Sequence, residues 1–339
     1  MIRFAERRPI WSAIIVLAVA VLLWLIFAPW PQGLIDVIGR KKIFLNALFN
    51  GITLGALYFL VASGFTLIFG LMKNVNLAHG SLYMLGGYLG YEVADATGYW
   101  LLSFVVAFVV VGALGVLLQV AVFRRMEGQD LKQTLVTIGI SIVIADIMLW
   151  IWGGDFYTIQ TPTWLSGPME LPLITGVSRR TGEFIYLKYP IVRLAILAAA
   201  IAIGIAMWLA LNRTRIGMLV RAGVDDRDML SATGVRIQRV FVLVFAFGAG
   251  LAGVAGVIGG TFQSVAPGED IRFLLASLVV VIVGGMGSIP GAALGAVLIG
   301  LAEQFGSVYA PTYAVVLTFL IMVIVLAFRP QGLISVERR

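Results

Sequence analysis

The sequence predicts an all-α polytopic membrane protein of about ten transmembrane helices, within a range of about 8–10. Three observations carry that prediction. Hydrophobic residues make up 60% of the 339 positions and charged residues only 12%, with a mean hydropathy of +1.02 that soluble domains rarely approach. Apolar runs recur at lengths near the roughly 20 residues that cross about 30 Å of hydrocarbon. The basic residues stand in short segments between those runs, as topology signals do, whereas a nucleic-acid partner for the net charge of +7 would call for one continuous basic face.

In chain order the runs cover 10–28, 44–70, 77–94, 100–122, 134–152, 190–211 and 240–264. Shorter runs, or runs interrupted by Gly and Pro, follow at 273–286, 291–305 and 312–328. The first run comes after "RFAERR", exceeds the usual signal-peptide core, and is followed by Trp30 and Pro31 where a small-residue cleavage site would stand. It is read as a retained span, so that 1–40 form an extra N-terminal span and linker ahead of a main membrane domain at 41–333 and a tail at 334–339. A cytoplasmic N-terminus places sixteen Lys and Arg inside and seven outside, with Arg193 at the edge of a span and Arg40-Lys41-Lys42 as the discordant cluster. Two longer polar segments remain, an extracytoplasmic loop at 153–189 and a cytoplasmic one at 212–239.

Several chemistries are closed by composition. The chain has no cysteine and one histidine, His79, so no disulfide framework, thiolate site or His/Cys zinc site can be assembled. A phosphate-binding Gly-x-x-x-x-Gly-Lys-[Ser/Thr] loop needs a lysine after glycine, and none of the five lysines has one before it. The chain therefore carries no ATPase site and no cofactor of its own, and it is not read as an enzyme.

"NLAHGSLYMLGGYLG" at 76–90 holds that histidine and the pair Gly86-Gly87. Small residues inside a span let helix backbones approach closely, which drives association in lipid. "VIVGGMGS" at 281–288 repeats the cue with Gly284 and Gly285 at an offset of 198 residues, and the same offset lays 50–65 over 248–263, matching Gly55 to Gly253. The superposed spans run in opposite directions, so the reading is an inverted repeat, set against chance similarity between glycine-rich helices.

"NGITLGALYFLVASGFTLIFGLMKNVNLAHGSLYMLGGYLG" resembles the permease subunits of branched-chain amino-acid ABC importers, in particular the first of their two paralogous permeases. "LVTIGISIVIADIMLWIWG" (135–153), "RTRIGMLVRAGVDDRDMLSATGV" (213–235), "VVVIVGGMGSIPGAALGAVLIGLAE" (279–303) and "RPQGL" (329–333) extend the resemblance over about 44–333. It implies a multi-pass protein of the bacterial inner membrane with both termini cytoplasmic. It also implies a second permease, a paralogue or a second copy, two ATPase subunits that bind ATP-Mg, and a periplasmic binding protein. The solute it implies is a branched-chain amino acid or a related small polar molecule.

Within that frame Asp225 or Asp226 is placed to cap a short helix running to Thr233, with Gly234 ending it in a left-handed conformation. A helix of about nine residues capped at both ends suits docking in an ATPase groove, as the coupling helices of ABC importers do. Arg221, Ala222, Asp225, Asp226, Arg227, Asp228, Leu230 and Gly234 are the coupling candidates, against a solvated connector. Asn50, Ser63, Thr66, His79, Tyr83, Asp146 and Glu303 are the candidates for a translocation path, because polar groups inside spans normally face a cavity or the bundle interior. For each a structural alternative stands: His79 capping or bonding across a helix break, Asp146 bonding between helices in mid-span, hydroxyls bonded to their own helix, and Glu303 with Gln304 solvated at the outer face. Glu269 and Asp270 could form a rim that meets the binding protein. The competing function is a stand-alone secondary transporter or channel for a small solute such as urea or an amino acid.

Overall fold

The computed structural model describes residues 40–72, 75–177 and 183–334, with scattered positions between 20 and 35. Most of the run at 10–28 and the end of the tail lie outside the described residues. Every apolar run from 44 onward is a helix. They are α1 Lys41–Met72, α2 His79–Thr97, α3 Trp100–Ala121 and α4 Asp130–Trp152, then α5 Ile191–Arg213, α8 Ile237–Phe262, α9 Glu269–Gly284, α10 Ile289–Tyr309 and α11 Ala314–Phe328. The basic segment between α5 and α8 folds into α6 Arg215–Asp225 and α7 Arg227–Ala232. Among the described residues, seven helices are long and apolar enough to cross a membrane. The nineteen-residue α2 and the sixteen-residue α9 are not among them.

The helix ends follow local chemistry. Ser288 accepts a hydrogen bond from Gly291 N–H at 3.1 Å and caps α10, whose first turn holds Pro290, where a missing N–H is not needed. Gly98 ends α2 with φ 72°, a conformation that only glycine adopts at little cost.

The chain divides into two compact groupings. One joins residues 1–49 and 167–191. Its organised feature is an antiparallel hairpin of β1 Pro168–Val177 and β2 Phe184–Pro190, with irregular register between Leu171 and Ile174 and again between Ile174 and Gly176. This hairpin supplies the short elements expected of the 153–189 loop, and it qualifies the all-α expectation. Tyr189 of β2 is buried and its ring lies 5.5 Å from that of Phe49. Lys41 Nζ donates to the Ala28 carbonyl at 3.0 Å.

The other grouping, 50–166 and 192–339, holds the bundle. Its centre is the pairing of α8 with α2 and α3. Gly86 of α2 faces the backbone of Gly253, while Gly253 leaves room for Ala107 and Val111 of α3. A β-carbon on Gly86 would overlap Gly253 Cα, so these helices meet backbone to backbone, as small residues permit in lipid. Gly87 packs on Val265 and the Gly256 carbonyl, and Gly284 on Gly291 and Ala292. Gly285 departs from the packing role expected of it: it ends α9 with φ 110° and sits against Gln331 and Ile334 of the C-terminal segment. A glycine pair read inside an apolar run cannot by itself tell a packing face from a helix stop.

The ends of the helices sort into two layers. At one, Trp152 Nε1 donates to Glu92 at 2.8 Å and Tyr157 bridges Val265 in β fashion, gathering the C-termini of α2, α4 and α8. At the other, Gln238 Nε2 donates to Glu127 at 2.6 Å, and the Leu333 and Ile334 N–H groups bond to the last carbonyls of α9.

Candidate functional site

α1 carries the polar candidates at successive depths: from Asn50 to Thr66 the helix rises about 24 Å. Asn50 Oδ1 accepts a hydrogen bond from the Arg193 guanidinium, which lies over the Phe262 ring at 5.1 Å. Two turns further in, the buried Tyr58 hydroxyl donates to Glu303 Oε2 at 2.6 Å. The other Glu303 oxygen meets Arg272 at 3.3 Å, and Arg272 also reaches Glu269 at 3.3 Å. Glu303, a path candidate with solvation at the outer face as its alternative, is therefore held in a cluster that ties α1, α9 and α10 together. Tyr58 and Arg272 were missed because their partner is some 30 to 250 residues away in sequence. Asp270 corrects the expected acidic rim: it is buried, accepts from Ser81 Oγ at 3.4 Å, and its carbonyl abuts Gly80.

His79 opens α2 in full burial. Its Nε2 lies 3.0 Å from the Val61 carbonyl of α1, which can only accept, so Nε2 carries a proton and donates it. Nδ1 has no partner among the described residues, and the ring meets Phe65 edge-on at 5.4 Å. The histidine thus bonds across from α2 to α1. Tyr83, one turn on, stacks tilted on Phe273 at 4.3 Å, and its hydroxyl occupies the space that Gly259 leaves open. Ser63 is buried and donates to the Leu60 carbonyl of its own helix at 2.7 Å. Thr66 is buried as well, and its Oγ1 has no partner among the described residues.

Thr66 borders a cavity of about 450 Å³ at the end of the bundle that carries the basic segment. Gly70 of α1, Asn212 of α5, Val220 and Arg221 of α6, and Ser288 ahead of α10 share its wall. Arg221 Nη1 donates to Asn212 Oδ1 at 2.6 Å, placing a guanidinium and an amide in the same wall as the hydroxyls of Thr66 and Ser288.

The segment that forms this wall is more structured than its sequence suggested. Thr214 Oγ1 accepts from Gly217 N–H at 3.0 Å and caps α6, an eleven-residue helix that the sequence reading left as part of a connector. Its signal was present in Thr214 and in the spacing of Ile216, Leu219, Val220 and Val224. Leu71 of α1 lies 3.0 Å from where a β-carbon on Gly223 would be, so α6 rests on the end of α1. The Ala222 carbonyl accepts the Asp226 N–H at 3.0 Å, and Asp226 then turns extended, with φ −149°. Its Oδ1 accepts Met229 N–H at 2.9 Å, which caps α7. Leu230 is buried against Gly223, and Gly234 follows with φ 85°. α7 has six residues rather than about nine, because the extended Asp226 starts it late and the turn at Thr233 and Gly234 ends it early. The side chains of Asp225, Arg227 and Asp228 lie outside the described ones.

The candidates do not converge on one polar channel. Thr66 and Arg221 share the cavity, while Asn50, Glu303, His79 and Tyr83 are each engaged elsewhere. Asp146 stands apart. It lies about 9 Å from the Trp152 end of α4, off the middle of the helix, and it is exposed on a face with Ile142, Val143, Ile147 and Trp150. Among the described residues no group of three or more His, Asp or Glu could hold a metal.

Residues 47–326 match the family described as branched-chain amino acid transport system / permease component. The high-affinity branched-chain amino acid transport system permease protein LivH of Escherichia coli (strain K12) is 31% identical, over 86% of this chain and 96% of its own length. The corresponding protein BraD of Pseudomonas aeruginosa is 29% identical over the same shares. The permease protein LivM of Escherichia coli (strain K12) is 26% identical over 84% of this chain and 69% of its own length.

Proposed function

Because the chain belongs to the branched-chain amino acid transport system permease family, we propose that it is the LivH-type membrane subunit of an ATP-driven importer for branched-chain amino acids or a related small polar solute. A LivM-type permease is its partner in the membrane, two ATPase subunits supply ATP-Mg hydrolysis from the cytoplasm, and a periplasmic binding protein delivers solute. The chain brings no cofactor. It lies in the bacterial inner membrane with both termini cytoplasmic, which the sixteen-to-seven distribution of basic residues supports. About ten spans are proposed, counting the N-terminal run, α2 and α9. The domain division is likewise 1–40, 41–333 and 334–339.

One observation carries the mechanism: α6 walls the cavity with Val220 and Arg221 and leads through the single extended residue Asp226 into the capped α7. An ATPase that grips α7 would thereby move a wall of the cavity. Closure of the ATPases on ATP and their reset rock the two permeases between outward and inward openings, and the cavity at Thr66 is the inward mouth. An inverted repeat supports such a rocking fold. Gly55 of α1 packs on Ala296 of α10, and Gly253 of α8, which the 198-residue offset pairs with it, packs on Ala107 of α3; both glycines serving close helix contacts supports that reading. Asp146, a carboxylate exposed on a span, faces the second permease in this reading, since a charge facing hydrocarbon is costly.

The test is purification from the native membrane with identification of the co-purifying chains, followed by uptake in proteoliposomes. A P-loop ATPase and a second polytopic chain are expected, with uptake that depends on ATP. Uptake by this chain alone without ATP would establish the secondary-transporter or channel function instead. Leu230→Pro breaks the Leu230 N–H bond to the Asp226 carbonyl (3.2 Å) and is expected to abolish transport while insertion persists; normal uptake by that variant would remove α7 as the coupling element.

A further inference from the structure

Between α5, α6 and α8 lies a second cavity, of about 250 Å³, walled by Met207, Leu211, Ile216, Val220, Leu243 and Phe247. Leu243 also borders a third, of about 290 Å³, between α3 and α8, with Val116, Val242 and Ala246. Leu243 and Phe247 are 45% and 39% exposed, so the ridge between the two hollows is open to the surroundings of the chain. An apolar hollow offers water no partners, and beside a membrane span the available filler is an acyl chain.

The rim has the opposite character. Arg213 and Arg215 flank Thr214, which lines the first hollow, and Arg124 and Arg239 line the second. All four are exposed, and among the described residues none forms an ion pair with a carboxylate. Glu127, an acid in this part of the fold, accepts from Gln238. Apolar slots below a rim of unneutralised arginines at a helix-terminal level match a lipid with a phosphate above two chains. A wholly apolar protein helix laid over the same ridge would leave the arginines without a partner.

We propose that the groove over Leu243 binds one anionic glycerophospholipid, with its acyl chains in the two hollows and its headgroup phosphate on the arginine rim. The inference is independent of the solute and of ATP coupling. The bound lipid would sit behind α6, on the face away from Arg221.

The experiment uses the assembled membrane complex in nanodiscs of phosphatidylcholine alone or with phosphatidylglycerol. Lipids retained on this chain after detergent washing are counted by native mass spectrometry. Phosphatidylglycerol should be retained about tenfold or more over phosphatidylcholine, and millimolar inorganic phosphate should not displace it. The double variant Arg213→Gln/Arg215→Gln should lose most of that preference, as should Arg124→Gln/Arg239→Gln. Leu243→Trp, which puts a bulkier ring on the ridge between the hollows and leaves the arginines intact, should lose retention itself. Equal retention of the two lipids, displacement by free phosphate, or retention unchanged in Leu243→Trp would overturn the proposal. The chain has no native cysteine, so Leu243→Cys gives a clean label: modification by a lipid-soluble maleimide is expected, and protection by a protein subunit would overturn the lipid as occupant.

Discussion

Asp226→Ala removes the carboxylate oxygen that accepts the Met229 N–H at 2.9 Å and leaves the first turn of α7 uncapped. Loss of an N-cap costs about 1 kcal/mol, within roughly 0.5–2. α7 has six residues, about half the length at which an isolated helix holds itself in water, so it depends on its caps and on the docking of Leu230. A penalty of about 1 kcal/mol lowers the ratio of formed to frayed helix about fivefold. Uptake of labelled leucine by proteoliposomes containing the whole importer should fall, by at most that factor and by about threefold where formed and frayed helix start out equally populated, while ATP hydrolysis and the amount of assembled complex stay near their original levels. Asp226→Asn retains an equivalent cap and should transport within about twofold of the natural protein. Asp226→Lys removes the cap and reverses the charge, and should abolish transport. If Asp226→Asn falls as far as Asp226→Ala, the residue acts through its charge, and the capping account is refuted.

Other perturbations test the bundle. Gly86→Val drives a side chain into the Gly253 backbone and should destabilise the protein by about 1–3 kcal/mol or more despite the helix propensity gained, seen as a lower melting temperature in detergent. Tyr58→Phe gives up the 2.6 Å hydrogen bond to Glu303 and should cost about 1.5–3 kcal/mol, read in the same melting assay. Thr66→Val exchanges a buried, unpartnered hydroxyl for a methyl group and should raise stability by about 1 kcal/mol. If Thr66 contacts solute at the cavity mouth, the same variant lowers the maximal uptake rate, and the two readouts then move in opposite directions.

Most of the spanning helices were legible from hydropathy because they are apolar over nearly their whole circumference, a signal that needs no tertiary context. Gly86 was also legible as a packing residue, since a glycine in a span has few other uses. Gly285, in a pair of the same appearance, is a helix terminator, and only the chain returning through Gln331 and Ile334 distinguishes it. The coupling segment was half legible: the Asp226 cap and Gly234 stop follow local rules, whereas α6 was hidden by its arginines, which drew attention to topology rather than to the Thr214 cap. The polar candidates were the least legible. Asp146 stood out in an apolar run, but which face of α4 it occupies depends on the neighbours of that helix. Tyr58 carries no local signal of its role, because its partner Glu303 stands 245 positions later.

The contact of Gly86 with Gly253 also bears on how the protein can deform. Two rods touching backbone to backbone have no layer of rotatable side chains between them, so a slide or roll has no compliant material to absorb it. α2 and α8 are stiff toward each other for that reason, and motion must be taken up at seams with more give. In this chain those seams belong to α4, α5 and α11, whose apolar stretches are only 11%, 17% and 11% buried. The glycines set where the bundle can hinge by determining where it cannot.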